Sequence, residues 1–262
     1  MSVELKRFKE KLALGEPIIG THVNLADSSI TELMGIIGFE FVWIENEHSA
    51  SDRQEVLRHI IAARAAGIVS IVRVAWNDPV LTKLVLEMGP DGIVFPFIRS
   101  VEEAKLAIAS CLYPPKGIRG YGPMRAGYLP RETTYAEEYE ESLFKILQIE
   151  HIDAVNCLDE IVKLPGVDGI VLGPMDLSAS IGKLGQLRDP EMLELYDRIA
   201  AVAKGAGIPY GTSYDYDETF VNDWVKRGAQ FMAIRSDVGF IRADGARTLA
   251  TTKKMIDEQR GR

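Results

Sequence analysis

Short apolar runs alternate with longer amphipathic segments along the chain. Each run is rich in Val, Ile and Phe, and the segment after it places its apolar residues at helical spacing. The runs lie at 18–23, 41–44, 69–74, 92–97, 143–150, 169–172, 208–212 and 231–234. This alternation predicts about eight consecutive βα units.

The runs are apolar nearly throughout, which indicates strands buried on both faces, as in a parallel sheet covered by helices. Glycines fall shortly before several runs, where the end of a helix favours a residue in the left-handed conformation. They are Gly38, Gly67, Gly89, Gly166, Gly207 and Gly228. We predict an α/β protein with a (β/α)8 TIM barrel, a single domain spanning residues 1–262, with an N-terminal and a C-terminal helix. A doubly wound open sheet is the alternative.

Composition narrows the range of ligands and compartments. A chain of 262 residues with 47% hydrophobic content suits one large barrel, and a net charge of -8 argues against a nucleic-acid partner. Two cysteines, Cys111 and Cys157, make neither a disulfide framework nor a zinc motif. Residues 1–17 lack the apolar core of a signal peptide, and no run is long enough to span a bilayer. We expect a soluble cytoplasmic protein with small-molecule ligands and no membrane partner.

One connection is much longer than the others. Residues 113–142 are rich in Pro and Gly, and long irregular loops in compact domains are usually functional or disordered. Arg119, Tyr121, Arg125 and Tyr128 would suit an active-site cover. A loop that contacts another subunit is an equally good interpretation.

Charged residues collect where the predicted strands end. In a barrel, catalytic groups come from the carboxyl ends of the strands and the loops just beyond them. The residues at these positions are Glu45, Glu47, His48, Arg73, Glu150 and Asp176. The pattern therefore predicts that an arginine, a histidine and several carboxylates converge on one rim.

Glu150 and Asp176 lie one βα unit apart, which predicts neighbouring carboxylates at the same mouth. Two adjacent carboxylates repel each other unless a hard cation such as Mg²⁺ or Mn²⁺ lies between them. Two plainer interpretations remain open, since Asp176 could be a helix N-cap and Glu150 could pair with a base. Arg73 could be an ion-pair partner or could stabilise an oxyanion, and His48 is the best proton carrier among the histidines.

Five stretches of the chain resemble, in order and spacing, the HpcH/HpaI family of class II pyruvate aldolases. They are GFEFVWIENEH at 38–48, IVRVAWNDP at 71–79, YPPKGIRGYG at 113–122, LQIE at 147–150 and VDGIVLGPMDLSAS at 167–180. The resemblance implies a (β/α)8 barrel, a divalent cation (Mg²⁺, Mn²⁺ or Co²⁺) and a homo-hexamer built as a trimer of dimers. It also implies reversible aldol cleavage of a 2-keto-4-hydroxy or 2-keto-3-deoxy acid to pyruvate and an aldehyde, through a metal-stabilised pyruvate enolate.

The resemblance also suggests roles for individual residues. Glu150 and Asp176 resemble the metal ligands, and Arg73 resembles the residue that holds the keto or enolate oxygen of pyruvate. His48 resembles the histidine on the base side. Glu47 would support the metal and water network.

Other positions would bind substrate or complete the site from a second chain. Gln148 resembles the glutamine that helps to order the metal site. Glu87 resembles an acidic residue that reaches the catalytic histidine from a neighbouring subunit, although a solvated helix residue is an equally good interpretation. The segment that resembles the receiver of the pyruvate carboxylate is Gly173, Pro174, Met175 and Asp176.

Four positions depart from the family pattern. Glu45 and Asn46 stand where Asp and Gly are usual, Met175 replaces Ala, and Arg235 replaces Gly. A cation at position 235 could recognise an acidic aldehyde, pair with Glu45, or partly block the pocket. We predict that Arg235→Gly changes aldehyde preference while leaving pyruvate enolisation largely intact.

Three alternative functions remain at this level. A metal-dependent 2-keto acid decarboxylase, or another carbon-carbon lyase, could use the same scaffold. A non-catalytic protein could keep the metal and 2-keto acid site without turnover. A phosphate-binding barrel is disfavoured, because the loops after the last two runs lack a glycine-rich cradle.

Overall fold

A computed structural model describes residues 1–128 and 135–261 of the chain. Eight strands form a closed barrel in which neighbours in the sequence pair in parallel, and the last strand pairs with the first. The strands are β1 Ile18–Val23, β2 Phe41–Glu45, β3 Val69–Arg73, β4 Gly92–Ile98, β5 Phe144–Ile149, β6 Gly169–Leu172, β7 Tyr210–Tyr214 and β8 Phe231–Ser236. The predicted barrel is confirmed, and the open doubly wound sheet is wrong.

Helices precede, connect and follow the strands. They are α1 Val3–Leu14, α2 Ser29–Ile37, α3 Arg53–Ala65, α4 Pro79–Leu86, α5 Val101–Cys111, α6 Arg125–Tyr128, α7 Tyr135–Glu138, α8 Ile152–Asn156, α9 Leu158–Ile161, α10 Pro174–Ser180, α11 Pro190–Ala206, α12 Glu218–Arg227 and α13 Asp237–Gln259. Among the residues that the structure describes, no helix combines the length and apolar character needed to cross a membrane.

The barrel interior is apolar at the amino ends of its strands. Phe8 of α1 packs edge-on against the rings of Phe41 and Phe144, at centroid distances of 5.9 and 5.4 Å. Helix α1 therefore closes this end, and we call the cluster the apolar floor. It comprises Leu5, Phe8, Leu12, Ile18, Phe41, Trp43, Val69, Ile71, Val94, Phe144, Ile146, Val171, Phe231 and Ala233. The polar side chains of the barrel interior lie at the opposite end, where the strands have their carboxyl ends.

The strand bounds follow the apolar runs closely, with one instructive difference at β7. This strand begins at Tyr210, two positions later than the apolar run at 208–212. The amide of Ile208 donates to the carbonyl of Ala203 and completes the end of α11, where Gly207 is left-handed with φ 68°. Pro209 has no amide hydrogen to give to the sheet. Residues 208 and 209 therefore end the helix rather than begin the strand.

The described part of the long connection packs beside the amino ends of the strands. Arg119 donates from Nη2 to Glu87 Oε1 at 2.9 Å, and Arg125 donates from Nη1 to the carbonyl of Met88 at 2.5 Å. Both acceptors lie between α4 and β4, on the side of the barrel away from the carboxyl ends. These two arginines therefore do not cover the mouth of their own chain. Tyr121 and Tyr128 are exposed, and residues 129–134 of the connection lie outside the described residues.

Helix α13 departs from the compact packing of the rest. From residue 241 to residue 261 every side chain is exposed, and the exposed set includes Ile241, Leu249 and Met255. The first turn of α13 is anchored, because Asp237 is buried and Phe240 packs against Phe39. A helix without tertiary packing has little intrinsic stability in water, so the part of α13 from residue 241 onward lacks a packing partner among the described residues.

Candidate active site at the carboxyl end of the barrel

Polar side chains continue three inward-facing rows above the apolar floor. Because side chains alternate along a strand, Glu45, Arg73 and Gln148 face the same side as the floor residues two and four positions before them. Strands β2 and β3 place Glu45 beside Arg73 in register. Glu45 and Gln148 are each only 2% exposed. The sequence thus builds a buried polar cluster where the strands end.

The Arg73 guanidinium is the centre of this cluster. Its Nε and Nη2 donate to Glu45 Oε2 at 2.9 and 2.5 Å. Its Nη1 lies 3.0 Å from Glu47 Oε2, an ion pair without hydrogen-bond alignment, and 3.4 Å from Gln148 Oε1. The guanidinium also lies over the ring of Trp43, 5.6 Å from its centroid. These contacts fix a positive charge at the mouth of the barrel.

Glu45 connects this arginine to the loop after β2. Its Oε1 accepts hydrogen bonds from the amides of Glu47 and His48 at 2.7 and 3.0 Å. Burial opposes ionisation, but the charge and hydrogen bonds of Arg73, with the two loop amides, hold the pKa of Glu45 below its usual range. Glu45 is therefore an ionised brace between Arg73 and the segment that carries Glu47 and His48.

Glu150 follows the end of β5 and is 2% exposed. Its Oε1 accepts from the amide of Phe97 at 2.8 Å, and its Oε2 accepts from Gln148 Nε2 at 2.6 Å. Burial raises the pKa of Glu150 to about 8, and the negative charges of Asp176 and Glu47 contribute in the same direction. The charge of Arg73 opposes this rise, but it does not offset the burial of the carboxyl group.

Both plainer interpretations of the carboxylate pair are wrong in this structure. The N-cap of α10 is Gly173, and Asp176 lies within the first turn with its side chain exposed. Within the described part of the chain, Glu150 makes no ion pair with a basic side chain; its partners are an amide and Gln148.

The donor set fits a divalent cation. Burial raises the pKa of Glu47, and the negative charges of Asp176 and Glu45 raise it further. Several carboxylates therefore repel one another at the mouth, and Glu45 already binds the one arginine among them. Added positive charge would relieve that repulsion. No group of three or more His, Cys, Asp or Glu side chains suited to a metal occurs within 1–128 and 135–261. If Glu150 and Asp176 are the ligands that the resemblance implies, they would supply two oxygen atoms, and water or substrate would supply the rest, as is common for Mg²⁺.

Gly173 leaves room for the Glu150 carboxylate. A Cβ atom at position 173 would lie 2.2 Å from Glu150 Oε2, 2.8 Å from Gln148 Nε2 and 2.9 Å from Glu150 Cβ. Because the last of these atoms cannot swing away, an alanine would displace the whole side chain of Glu150. This close approach explains why a glycine precedes α10.

Gly173→Ala is therefore expected to weaken Mn²⁺ binding by about 10- to 100-fold, the usual cost of disturbing the groups that orient a metal ligand. Calorimetric titration with Mn²⁺ measures the change. Gly205→Ala is the matched control, because a Cβ there meets no atom within 4 Å and alanine favours the helical conformation of α11. Unchanged Mn²⁺ affinity in a folded Gly173→Ala protein would contradict the assigned role of Glu150.

His48 and Glu87 do not meet within one chain. The His48 side chain is 68% exposed, and its Nε2 lies 3.7 Å from Glu47 Oε1. Glu87 accepts instead from Arg119 and from the amide of Met124, the latter at 3.1 Å. The role of Glu87 as a contribution from a neighbouring subunit stays a prediction.

The structure adds two groups that the candidate set from the sequence lacks. Phe97 directs its amide at Glu150 from a left-handed conformation, with φ 55°. Nothing in its residue type signals this geometry, because it depends on the irregular pairing of β4 with β5. His22 faces the mouth from β1, with its ring 5.1 Å from Trp43 and its Nε2 3.0 Å from Ser213 Oγ. The sequence predicts that His22 lies in the barrel mouth, since it follows Gly20 by two residues in an inward row, and this is confirmed.

His22 makes the stability of the fold sensitive to acid. Burial is the main cause that lowers the pKa of His22 to about 4. Between roughly pH 6.5 and pH 4 the unfolded chain takes up a proton at this histidine and the folded chain does not, so the free energy of unfolding falls as the pH falls. Urea unfolding at several pH values in this window measures the effect. The free energy of unfolding should decline less steeply with falling pH for His22→Gln than for the unaltered protein. Identical slopes would contradict a buried neutral His22.

Arg235 lies at the end of β8, on the same rim. Its backbone is left-handed, with φ 58°. Its Nε lies 3.2 Å from Asp215 Oδ1, and its guanidinium contacts the rings of Tyr216 and Phe240. Because Glu45 binds Arg73, the predicted pairing of Arg235 with Glu45 is wrong.

Comparisons with known proteins all identify the same protein family. The sequence model of the HpcH/HpaI aldolase/citrate lyase family matches residues 19–243. The pyruvate aldolase of Rhizobium etli is 36% identical over 95% of this chain and 98% of its own, and the 5-keto-4-deoxy-D-glucarate aldolase of Salmonella paratyphi A is 34% identical over 95% and 97%. A crystal structure of an HpcH/HpaI aldolase from Desulfitobacterium hafniense superposes with a TM-score of 0.85 at 28% identity, covering 94% of this chain and 96% of that one.

Proposed function

The chain belongs to the HpcH/HpaI aldolase/citrate lyase family, and we propose that it is a lyase, a class II pyruvate aldolase. The reaction is the reversible, divalent-metal-dependent aldol cleavage of a 2-keto-4-hydroxy acid to pyruvate and an aldehyde. One observation carries the proposal: Gln148 connects the buried Glu150 carboxyl group to the Arg73 guanidinium at the mouth of the barrel, through hydrogen bonds of 2.6 and 3.4 Å.

Glu150 and Asp176 would hold Mg²⁺, Mn²⁺ or Co²⁺. When bound, such a cation supplies Lewis-acid stabilisation of the negative charge that develops on the keto oxygen of pyruvate. Gln148 keeps Glu150 in place through its 2.6 Å hydrogen bond, and the Phe97 amide holds the other oxygen. The ligand carboxylate is thus positioned before any substrate arrives.

Arg73 and the start of α10 would bind pyruvate. The Arg73 guanidinium is positioned by Glu45, Glu47 and Trp43, so it can stabilise the developing oxyanion without rearranging. At the start of α10, Gly173 leaves space and Pro174 has no amide hydrogen. The amides of Met175 and Asp176 come next in the first turn, where backbone donors favour a carboxylate.

His48 would move the proton. In the cleavage direction its Nε2 accepts the proton of the substrate hydroxyl while the carbon-carbon bond beside that hydroxyl breaks, which gives the aldehyde and the enolate of pyruvate. Glu47, 3.7 Å from that nitrogen, would orient the ring. An acidic group from a second subunit, Glu87, would complete this pair.

We further propose that the protein is a cytoplasmic homo-oligomer of single-domain chains spanning 1–262, with a trimer of dimers as the arrangement. The exposed apolar side chains of α13 support association, because contact with a second copy would bury them. Two cysteines and a net charge of -8 support a reducing compartment and the absence of a nucleic-acid partner.

Proton exchange tests the proposed function without a choice of aldehyde. Pyruvate is incubated in D₂O with the protein and Mg²⁺ or Mn²⁺, then with a chelator, and NMR follows its methyl signal. Metal-dependent loss of the signal is the expected result. Binding of pyruvate without exchange would contradict the aldolase and would favour the non-catalytic binding protein.

A further inference from the structure

Phe97 has a backbone conformation that phenylalanine rarely adopts. Its φ of 55° lies in the left-handed region, which side chains with a Cβ atom disfavour. The conformation occurs at a β-bulge, because the segment 95–98 of β4 takes three steps where the segment 147–149 of β5 takes two. Backbone strain of this kind is typical of functional positions.

The left-handed backbone directs the Phe97 amide at the carboxyl group of Glu150. The amide donates to Glu150 Oε1 at 2.8 Å. Ile98 pairs with Ile149 in the sheet, so the chain after Phe97 is fixed and φ decides the direction in which the N–H points. Pro96, the residue before, has no amide hydrogen that could replace this donor. The hydrogen bond to Glu150 therefore depends on the left-handed conformation.

The ring of Phe97 is held by three side chains around it. The Trp76 ring stacks on it at a centroid distance of 5.9 Å with an interplanar angle of 30°, and the His151 ring meets it at 5.8 Å and 61°. The Arg99 guanidinium carbon lies 5.6 Å from its centroid. Aromatic and cation–π contacts of this geometry are attractive. We call Trp76, Arg99 and His151 the ring clamp.

Two members of the ring clamp are themselves fixed. Glu103 Oε1 accepts from Arg99 Nη2 at 3.0 Å, and Glu103 Oε2 accepts from the Arg99 amide at 2.7 Å. His151 Nδ1 accepts from a backbone amide of α8 at 3.2 Å, as the N-cap of that helix. His151 also follows Glu150 directly in the chain, so neighbouring residues hold the ring and the amide of Phe97. The clamp thus fixes the side chain of Phe97, and with it the backbone.

We propose that Phe97 is a positioning residue for Glu150, the metal ligand of the proposed function. The ring clamp holds the left-handed backbone, and this backbone keeps Oε1 in place while Gln148 holds Oε2 at 2.6 Å. A carboxylate anchored at both oxygens loses less freedom when a divalent cation binds. Phe97 thus acts through Glu150. The inference rests on the proposed aldolase function and deepens it.

The test compares the Mn²⁺ affinity of variants at this position by calorimetric titration, with thermal unfolding to confirm that each variant is folded. Phe97→Ile is expected to weaken Mn²⁺ binding by about 10- to 100-fold, because a β-branched side chain opposes the left-handed backbone that orients the ligand. Phe97→Gly should lose only about 2- to 10-fold, since glycine adopts this backbone and only the ring contacts are missing. Phe39→Ile is the matched control, because Phe39 is also half-buried and packs against an aromatic ring, but lies at the amino end of β2.

Trp76→Leu tests the ring clamp without a change at position 97. Trp76 is 49% exposed, so the fold should persist. Mn²⁺ affinity should fall by about 2- to 10-fold, the contribution of one aromatic pair. If Phe97→Ile does not fold, this variant and Phe97→Gly decide, and unchanged Mn²⁺ affinity in both would overturn the role of the ring.

The outcomes separate this inference from the function on which it depends. Failure of the unaltered protein to exchange pyruvate protons would overturn the aldolase itself, whatever its Mn²⁺ affinity. Failure to bind Mn²⁺ would overturn the metal site and this inference together. Mn²⁺ binding by the unaltered protein, with Phe97→Ile binding as tightly or Phe97→Gly binding as weakly as Phe97→Ile, would overturn only the role of Phe97.

Discussion

Replacing Glu150 by glutamine is expected to reduce metal-dependent exchange of pyruvate protons by at least about 10³-fold, because one of the two proposed anionic ligands is lost. The change is nearly isosteric, so the fold should persist. The Phe97 amide can still donate to the glutamine carbonyl oxygen at the position of Oε1. The NMR exchange rate at saturating Mn²⁺ measures the effect, and Glu160→Gln on the exposed side of α9 is the matched control.

The same variant has a second readout that does not depend on activity. Because the pKa of Glu150 is about 8 when folded and about 4.5 when unfolded, the folded metal-free protein binds an extra proton between these pH values. The free energy of unfolding therefore falls as the pH rises through this window. In Glu150→Gln this decline should disappear. If the free energy of unfolding still declined in Glu150→Gln and the exchange activity were unchanged, Glu150 would not be a metal ligand.

The barrel could be predicted from the sequence because its signals are local. Each apolar run is a strand, and alternation within a strand decides which side chains face inward. Since Phe41 and Trp43 belong to the floor, Glu45 had to emerge at the mouth. The same reasoning brings Arg73 and Gln148 to the cluster, so the convergence of charged groups on one rim follows from strand ends alone.

The features that escaped prediction depend on contacts distant in sequence or on another chain. The left-handed conformation of Phe97 arises where the pairing of β4 with β5 shifts register. Glu45 departs from the family pattern, and its partner in space, Arg73, lies 28 positions later in the chain. The role of Glu87 requires a second subunit. From residue 241 onward, helix α13 likewise lacks a packing surface among the described residues, which no hydrophobic pattern could reveal.

Replacing Arg73 by methionine is expected to cost both activity and stability. Exchange of pyruvate protons should fall by at least about 10³-fold, because a fixed cation no longer faces the developing oxyanion. The free energy of unfolding at pH 7 should fall by about 3–5 kcal/mol, because Glu45 would stay buried without its partner. Urea unfolding measures the second quantity.

The double variant Glu45→Gln with Arg73→Met separates these two effects. Removing the Glu45 charge along with Arg73 should restore much of the lost stability, since only the more exposed Glu47 then loses its cationic partner. The exchange activity should stay at the level of the single variant, because neither remaining side chain carries positive charge. Recovery of activity together with stability would show that Arg73 acts only as a structural partner of Glu45. A single variant as stable as the unaltered protein would instead show that Glu45 finds other compensation, through the amides of Glu47 and His48.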